Sequence, residues 1–278
     1  MDSDTTIEND VTAALAEDLG TGDLAAPLIA PEKQAQARVV SRESAVLCGS
    51  AWFEACFRRL DPNIKIDWHA RDGERIEAGR TLCNLAGNAR ALLSAERCAL
   101  NFLQILSATA TRTRRYVEAV EGFAVQIMDT RKTVPGLRFA QKYAVRTGGG
   151  INQRSGLYDA ALIKENHIAV AGGVANALRC AQAALAAGIS VQIEVENTAQ
   201  LQDALGAGAK RVLLDNFSLE ALRQAVHLNA GRALLEASGG INLDNIRAIA
   251  QTGVDRISVG DLTKNITAVD FSMRVVTD

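Results

Sequence analysis

Apolar and polar residues follow a regular order along the second half of the chain. Short apolar runs occur at residues 125–128, 161–163, 191–195, 212–214, 233–235 and 257–259. Between most of them, apolar residues recur three or four positions apart, as at Val174, Leu178, Ala181 and Leu185, which is the period of an amphipathic helix. Strands that alternate with helices predict parallel βαβ units. Six such strands in a row favour a closed or nearly closed α/β barrel, with a doubly wound sheet as the alternative.

The first hundred residues show a different pattern. A helix is predicted over residues 6–19, and short strands are predicted at 37–41, 45–48, 65–68 and 81–85. A long alanine-rich helix that begins at Ser94 is expected to lead into the barrel. We therefore predict a first domain over residues 1–105 and a barrel domain over residues 106–266.

The composition is that of a folded protein with a local excess of positive charge. Of the 278 residues, 48% are hydrophobic, 22% are charged and 4% are aromatic, and the net charge is −2. These values argue against disorder, against a stacking platform for single-stranded nucleic acid, and against a general attraction to DNA or anionic lipid. Residues 129–167 nevertheless carry seven Lys or Arg and three Asp or Glu, which is +4, so the rest of the chain sums to −6. A basic segment in an acidic chain indicates a bound anion.

Several features favour a cytoplasmic protein. The first 32 residues contain eight acidic and no basic side chains, which argues against a secretory or mitochondrial targeting segment. No run of eighteen uncharged apolar residues is present, so no membrane span is expected. The five cysteines are widely spaced without a CxxC pair, which is typical of reduced thiols, and the three histidines fit no metal-binding signature.

Charged residues and glycines follow nearly every predicted strand of the second half. In an α/β barrel the carboxyl ends of the strands meet at one rim, where the active site lies. A single Lys or Glu after a strand is more often the start of a solvated loop, but six such strand ends favour a functional rim. Its cations are Arg131, Lys132, Arg154 and Lys164, its carboxylates are Glu194 and Asp215, and its turns contain Ser238, Gly239, Gly240 and Gly260.

Each of these groups has a preferred ligand. Arginine and lysine bind carboxylates and phosphates, and glycine turns allow backbone N–H groups to approach a phosphate. Carboxylates near a phosphate suit ribose hydroxyls or Mg²⁺. The rim therefore predicts a pocket for a sugar phosphate beside a carboxylated or pyrophosphorylated group. Residues 148–150 are three glycines after a helix predicted from Pro135, and they either end that helix or let the next loop carry Arg154 into the pocket.

Longer motifs extend in order over nearly the whole chain. They lie at residues 17–23, 95–101, 129–136, 142–144, 148–154, 162–167, 194–196, 214–216, 236–240 and 258–260. On these motifs the chain resembles the quinolinate phosphoribosyltransferase family, and the run DTRKTVPG at 129–136 is highly specific. The resemblance implies transfer of phosphoribosyl from phosphoribosyl pyrophosphate to quinolinate with decarboxylation. The products are nicotinate mononucleotide, pyrophosphate and CO₂, in de novo NAD biosynthesis.

The resemblance also implies an architecture. The family has an N-terminal α/β sandwich domain and an incomplete, seven-stranded α/β barrel. A C-terminal tail, here residues 267–278, returns to the first domain. The family is at least dimeric, so a homodimer or a dimer-based hexamer is expected, with Arg97 contributed across the interface.

On the side of the acceptor, the resemblance implies five contacts. Arg131, Arg154 and Lys164 would hold quinolinate. Lys132 and His167 would contact its carboxylates or the pyrophosphate. Gln153 stands where many family members have histidine; glutamine can hydrogen-bond a carboxylate but carries no positive charge.

On the side of the ribose, the resemblance implies that Glu194 and Asp215 hold the hydroxyls and Mg²⁺. The 5′-phosphate would be held by Ser238, Gly239, Gly240 and Gly260, with Lys264 nearby. The implied catalytic residues are Arg131, Lys132, Lys164, Glu194 and Asp215.

Two other functions remain open on sequence alone. The first is a phosphoribosyltransferase with another acceptor, such as nicotinate, which has one carboxylate and needs fewer cations than this rim offers. The second is a non-catalytic protein that binds nucleotides or nucleic acid, whose affinity would fall steeply with salt. The acidic remainder of the chain and the carboxylates at the rim argue against the second.

Overall fold

Contacts divide the chain into two units that are discontinuous in sequence. The computed structural model describes residues 3–276; residues 1, 2, 277 and 278, at the outer ends of the predicted first domain and tail, lie outside the described residues. The first unit contains the chain up to Arg114, residues 134–149 and the chain from Asn265 onward, and the second contains residues 115–133 and 150–264. Residues 134–149 thus group with the first unit, although they fall within the predicted barrel domain, and the boundary near residue 105 stays a prediction.

The elements are numbered in chain order. The helices are α1 (Ser3–Leu19), α2 (Ser50–Leu60), α3 (Ala89–Ala119), α4 (Arg138–Thr147), α5 (Glu165–Ala171), α6 (Val174–Ala184), α7 (Thr198–Gly206), α8 (Leu219–Asn229), α9 (Ile246–Ala250) and α10 (Asp261–Lys264), with a 3₁₀ turn at Ala26–Leu28. The strands are β1 (Gln34–Ser41), β2 (Ala45–Val46), β3 (Lys65–Trp68), β4 (Arg75–Ile76), β5 (Thr81–Asn88), β6 (Gln126–Met128), β7 (Ala160–Ile163), β8 (Ser190–Val195), β9 (Arg211–Asp215), β10 (Leu234–Ser238), β11 (Arg256–Ser258) and β12 (Phe271–Val275). Among the described helices, none is both long and apolar enough to cross a membrane.

The first unit is built on an antiparallel sheet with the order β12-β1-β5-β3. Its core contains fully buried aromatic residues of α2, including Trp52, Phe53 and Phe57. Strand β12 pairs antiparallel with β1, from Ala37 opposite Val275 to Ser41 opposite Phe271. The last described strand of the chain, β12, therefore forms an edge of the same sheet as the first strand, β1.

Helix α1 begins at Ser3 and not at residue 6, and two later helices also begin at residues other than those predicted. Helix α3 begins at Ala89 and not at Ser94, because the Asn88 side-chain oxygen accepts hydrogen bonds from the N–H groups of Arg90 and Ala91 and so caps an earlier start. Helix α4 begins at Arg138 and not at Pro135, because Gly136 has a φ of 83°, which an α-helix cannot contain.

The second unit is an open parallel sheet with helices along its connections. Its strand order is β6-β11-β10-β9-β8-β7. Strands β7 to β11 therefore lie side by side in chain order, β6 lies beside β11, and β6 and β7 form the two edges of the sheet. This is the order of a barrel opened between β6 and β7, and it excludes the doubly wound alternative, in which the strand order reverses from an internal strand. The predicted incomplete α/β barrel with an N-terminal α/β domain is confirmed, and no closed barrel is present among the described residues.

The expected seventh strand is reduced to a single bridge. Ile151 pairs in parallel with Met128, and the Ile151 N–H donates to the Ile127 carbonyl at 2.8 Å. Three glycines precede Ile151 and a polar loop follows it, so no longer apolar run is available to extend the pairing.

Candidate active site

A pocket of about 720 Å³ lies at the carboxyl ends of the strands of the second unit. Five of its lining residues are cations and three are carboxylates, the third carboxylate being Asp261. The pocket brings together most of the predicted site: Arg131, Lys132, Gln153, Arg154, Lys164, Glu194, Asp215, Ser238, Gly239, Gly240, Gly260 and Lys264 all line it.

The turn after β6 holds the first two cations. The Lys132 N–H donates to the Thr130 hydroxyl at 3.1 Å, and the Thr263 hydroxyl donates to the Lys132 carbonyl at 2.9 Å. An added Cβ on Gly260 would lie 3.4 Å from the Lys132 side chain, so Gly260 and Lys132 are neighbours at this rim. The backbone of the turn is thereby held by one contact within the turn and by one contact from Thr263, near the end of the second unit.

The loop after the Ile151 bridge carries Arg154 to the pocket. Its guanidinium donates to the Ala160 carbonyl at 3.1 Å, while its Nε is buried without a hydrogen bond in the described part of the chain. Burial, together with the nearby Arg131 cation, lowers the pKa of Arg154, and Asp159 acts in the opposite direction. Two neighbouring guanidinium groups repel each other unless an anion lies between them, so this part of the pocket suits an anionic ligand.

Two carboxylates face the pocket from β8 and β9. Glu194 lies 3.8 Å from the Lys164 Nζ, and the Asn216 amide donates to Asp215 at 2.9 Å. Burial raises the pKa of Glu194, Lys164 opposes that shift, and Asp215 adds to it. A ligand that supplies hydroxyl donors or positive charge would therefore stabilise the ionised forms of Glu194 and Asp215.

A turn of unusual backbone conformation follows β10. Gly239 has a φ of 102°, and an added Cβ there would overlap the Asn216 side-chain oxygen. Asn216 itself has a φ of 56°, and its N–H donates to the Ser238 carbonyl at 2.9 Å. Gly240 has a φ of 59° with open space where a Cβ would lie. This close approach of two strand ends leaves a side-chain-free surface that suits a phosphate.

Two predicted residues do not line this pocket. Arg97 is exposed on α3, in the first unit. His167 is exposed in the first turn of α5, and its Nδ1 accepts a hydrogen bond from the Lys164 N–H at 3.1 Å. His167 thus caps the helix that follows Lys164, and its predicted contact with a substrate stays a prediction.

Sequence reasoning missed several pocket residues. Thr130 directly precedes the predicted Arg131, and Asn216 and Asp261 directly follow the predicted Asp215 and Gly260, so their positions next to strand ends could have indicated them. The Tyr116 hydroxyl donates to Asp261 at 3.1 Å across 145 positions of sequence, and no local pattern indicates such a contact.

The open parallel barrel, with a pocket of cations and carboxylates at the carboxyl ends of its strands, is the architecture of an α/β-barrel enzyme. The family model described as quinolinate phosphoribosyl transferase, C-terminal domain, matches residues 109–274, and the model of the N-terminal domain matches residues 10–107. The chain belongs to the quinolinate phosphoribosyltransferase family.

Individual relatives match over nearly the whole chain. The probable nicotinate-nucleotide pyrophosphorylase (carboxylating) of Bacillus subtilis is 41% identical over 259 residues, which cover 93% of this chain and 90% of that protein. The structure of the nicotinate-nucleotide pyrophosphorylase from Francisella tularensis matches with a TM-score of 0.95 and 44% identity, over 99% of this chain and 98% of that chain. The corresponding structure from Ehrlichia chaffeensis matches with a TM-score of 0.91 and 37% identity, over 96% of this chain and 97% of that chain.

Proposed function

We propose that the chain transfers phosphoribosyl from phosphoribosyl pyrophosphate to quinolinate, with loss of CO₂, as an enzyme of NAD biosynthesis. Relatives of this chain are named nicotinate-nucleotide pyrophosphorylases, and the reaction is the one that this name describes. The observation that carries the proposal is the pocket itself. A cluster of cations, a pair of carboxylates and a glycine turn meet at one rim, and they match the three chemical parts of the two substrates.

The cations suit a ring with two carboxylates. Arg131 and Arg154 lie close enough to affect each other electrostatically, and Lys132 and Lys164 line the same pocket. Arginine binds a carboxylate with two parallel hydrogen bonds, so two arginines match a dicarboxylate better than the single carboxylate of nicotinate.

The carboxylates and the glycine turn suit the ribose phosphate. Glu194 and Asp215 can accept hydrogen bonds from ribose hydroxyls, and the turn at Gly239 and Gly240 can receive the 5′-phosphate. No group of three or more His, Cys, Asp or Glu that could hold a metal by itself occurs in residues 3–276. A pair of carboxylates without such a cage fits Mg²⁺ that is bound mainly through substrate phosphates, and Mg²⁺ there would neutralise charge on the pyrophosphate.

The chemistry follows from the charges of the pocket. The quinolinate nitrogen forms a bond to C1 of the ribose while the bond from C1 to pyrophosphate breaks, through a transition state with oxocarbenium character. Lys132 and the other cations stabilise the negative charge on the departing pyrophosphate. The ring nitrogen of the adduct is quaternary and positive, and it stabilises the electron pair that remains when the 2-carboxylate leaves as CO₂; a proton then replaces CO₂ on that carbon.

The test is a direct assay of the reaction. Purified protein with quinolinate, phosphoribosyl pyrophosphate and Mg²⁺ is expected to form nicotinate mononucleotide and CO₂ together. Arg131→Ala should lose about 2–5 kcal/mol of substrate or transition-state stabilisation, because it leaves a carboxylate of the ligand without its partner. Folded protein that uses nicotinate and refuses quinolinate would reverse the choice of acceptor.

We also propose a homodimer or a dimer-based hexamer in the cytoplasm. Arg97 is exposed and lies one helical turn after Leu93, a leucine that is 40% exposed, so this face of α3 suits contact with a second copy. All five cysteines are free thiols, and four of them are buried, which fits a reducing compartment.

A further inference from the structure

A buried carboxylate lies on β10, two residues before the pocket residue Ser238. Side chains two positions apart on a strand share a face, so Glu236 points to the same side of the sheet as Ser238. Glu236 is only 1% exposed, and burial raises the pKa of its carboxyl group. A carboxylate at such a position costs free energy unless hydrogen-bond donors surround it, so its partners identify what it does.

Both oxygens of this carboxylate accept hydrogen bonds from glutamine amides. Gln153 Nε2 donates to Oε1 at 2.9 Å, and Gln192 Nε2 donates to Oε2 at 2.8 Å. Ser258 and Arg256 are its other partners and both oppose the rise in its pKa, while the Ser258 hydroxyl donates to the neighbouring Ala237 carbonyl at 3.4 Å. The four partners come from β8, β11 and the loop after the Ile151 bridge, so Glu236 joins three separate parts of the chain.

Each glutamine is adjacent to a different part of the pocket. Gln153 directly precedes Arg154, and its N–H donates to the buried Asp129 carboxylate at 2.8 Å. Gln192 lies two residues before Glu194 on β8, so the two side chains share a face. The hydrogen bonds of Glu236 therefore connect the loop that carries Arg154 with strand β8, which carries Glu194.

We propose that Glu236 is a positioning residue, which holds Arg154 through Gln153 and Glu194 through Gln192; this rests on the proposed function. The geometry gives Gln153 a different task from the one expected of its side chain. Its amide is directed to Glu236, and it aligns its neighbour Arg154 with the acceptor carboxylate. Replacing Glu236 should disturb both halves of the pocket, whereas replacing one glutamine should disturb one half.

Steady-state kinetics with both substrates tests this division. Gln153→Ala is expected to raise KM for quinolinate roughly tenfold, and Gln192→Ala to raise KM for phosphoribosyl pyrophosphate to a similar extent, because each loses one buried hydrogen bond. Glu236→Leu should raise both KM values. Glu236→Gln should restore part of the loss, since an amide oxygen can still accept one of the two hydrogen bonds. If Glu236→Leu does not fold, the other three variants test the same division.

A matched control separates positioning from loss of stability. Asn229 is buried outside the pocket and makes two hydrogen bonds to Ala233, so Asn229→Ala should lower Tm without changing either KM. Glutamine variants whose KM values change together, or a Glu236→Gln enzyme with both wild-type KM values, would overturn the inference while wild-type turnover stands. Wild-type protein that leaves quinolinate unchanged would overturn the proposed function and this inference with it.

Discussion

Individual residues of this pocket are held by contacts that also restrict what can replace them. Asn216 illustrates this, because its amide donates to Asp215 while its oxygen lies against the backbone of Gly239. The same residue therefore links Asp215 to the turn at Gly239 and Gly240. Single substitutions at Gly239 and Glu194 test how such contacts affect binding and stability.

Gly239→Ala should impair phosphate binding. The alanine Cβ would overlap Asn216, and the φ of 102° adds strain of about 1–2 kcal/mol. We expect KM for phosphoribosyl pyrophosphate to rise roughly tenfold or more because the displaced side chain also frees Asp215. Gly231→Ala is the control, since Gly231 has a φ of 76° but open space for a Cβ. Equal KM values in the two variants would contradict this account.

Glu194→Gln should lower activity and raise stability at neutral pH. Burial raises the pKa of Glu194 above its usual value of 4.5, so the folded state holds this proton more tightly than the unfolded state does. Such a group contributes full stability below the unfolded-state pKa, and that contribution is lost as pH rises through the folded-state pKa. The glutamine side chain stays neutral at every pH, so Glu194→Gln does not lose this stability as pH rises.

The measurement is Tm of both proteins between pH 4 and pH 8. We expect Glu194→Gln to melt about 1–3 °C above wild type at pH 8 and level with it near pH 4. Glu196→Gln, an exposed change one residue beyond β8, removes only the smallest of the charges that raise the pKa of Glu194 and should change Tm by less. If the Tm of Glu194→Gln fell below that of wild type at pH 8 but not at pH 4, the attraction between Glu194 and Lys164 would outweigh the cost of burying the carboxylate.

At the scale of elements, the ends of helices and strands position the site. The pocket residues lie at the carboxyl ends of parallel strands, as the order of strands and helices predicted. Element starts were less predictable, because the Asn88 cap of α3 and the left-handed Gly136 before α4 depend on local geometry that the apolar pattern does not record. The final strand makes a separate contribution to stability.

Phe271→Ala should destabilise the first unit. Phe271 is 3% exposed on β12, and removing a buried phenylalanine side chain typically costs about 3–5 kcal/mol. Arg274→Ala, an exposed change on the same strand, should stay within about 0.5 kcal/mol of wild type. Urea unfolding of the three proteins measures the difference, and similar midpoints for Phe271→Ala and wild type would show that β12 adds little to the sheet.

At the scale of the whole molecule, the question is whether one chain forms a complete site. Arg131 lines the pocket of its own chain, whereas Arg97 does not line it. If Arg97 acts in a neighbouring subunit, a mixed dimer of Arg97→Ala and Arg131→Ala subunits contains one intact site and one doubly altered site. Random reassociation of equal amounts should then restore about a quarter of wild-type activity.

Complementation requires that both variants be inactive alone and that subunits exchange. Each variant unfolded, mixed with the other and refolded is the test sample, and each refolded alone is its control. Subunit exchange is verified by recovering mixed dimers with a tag on one variant. Mixed dimers without activity would place Arg97 and Arg131 in the same subunit's site, and an Arg97→Ala protein that is active alone would remove Arg97 from the reaction.

The order of apolar runs and periodic segments determined that strands alternate with helices and favoured an α/β barrel, since a strand period and a helix period can be read along one chain, and the strand order in the structure excluded the doubly wound sheet. The strand-end positions also predicted ten residues that share the pocket, because parallel strands present their carboxyl ends at one edge, and the family resemblance added Gln153 and Lys264. Only the tertiary structure reduced the seventh strand to the Ile151 bridge and grouped residues 134–149 with the first unit. It alone joined Glu236 to Gln153 and Gln192, because hydrogen bonds between residues 44 and 83 positions apart depend on the fold and leave no local pattern in the sequence.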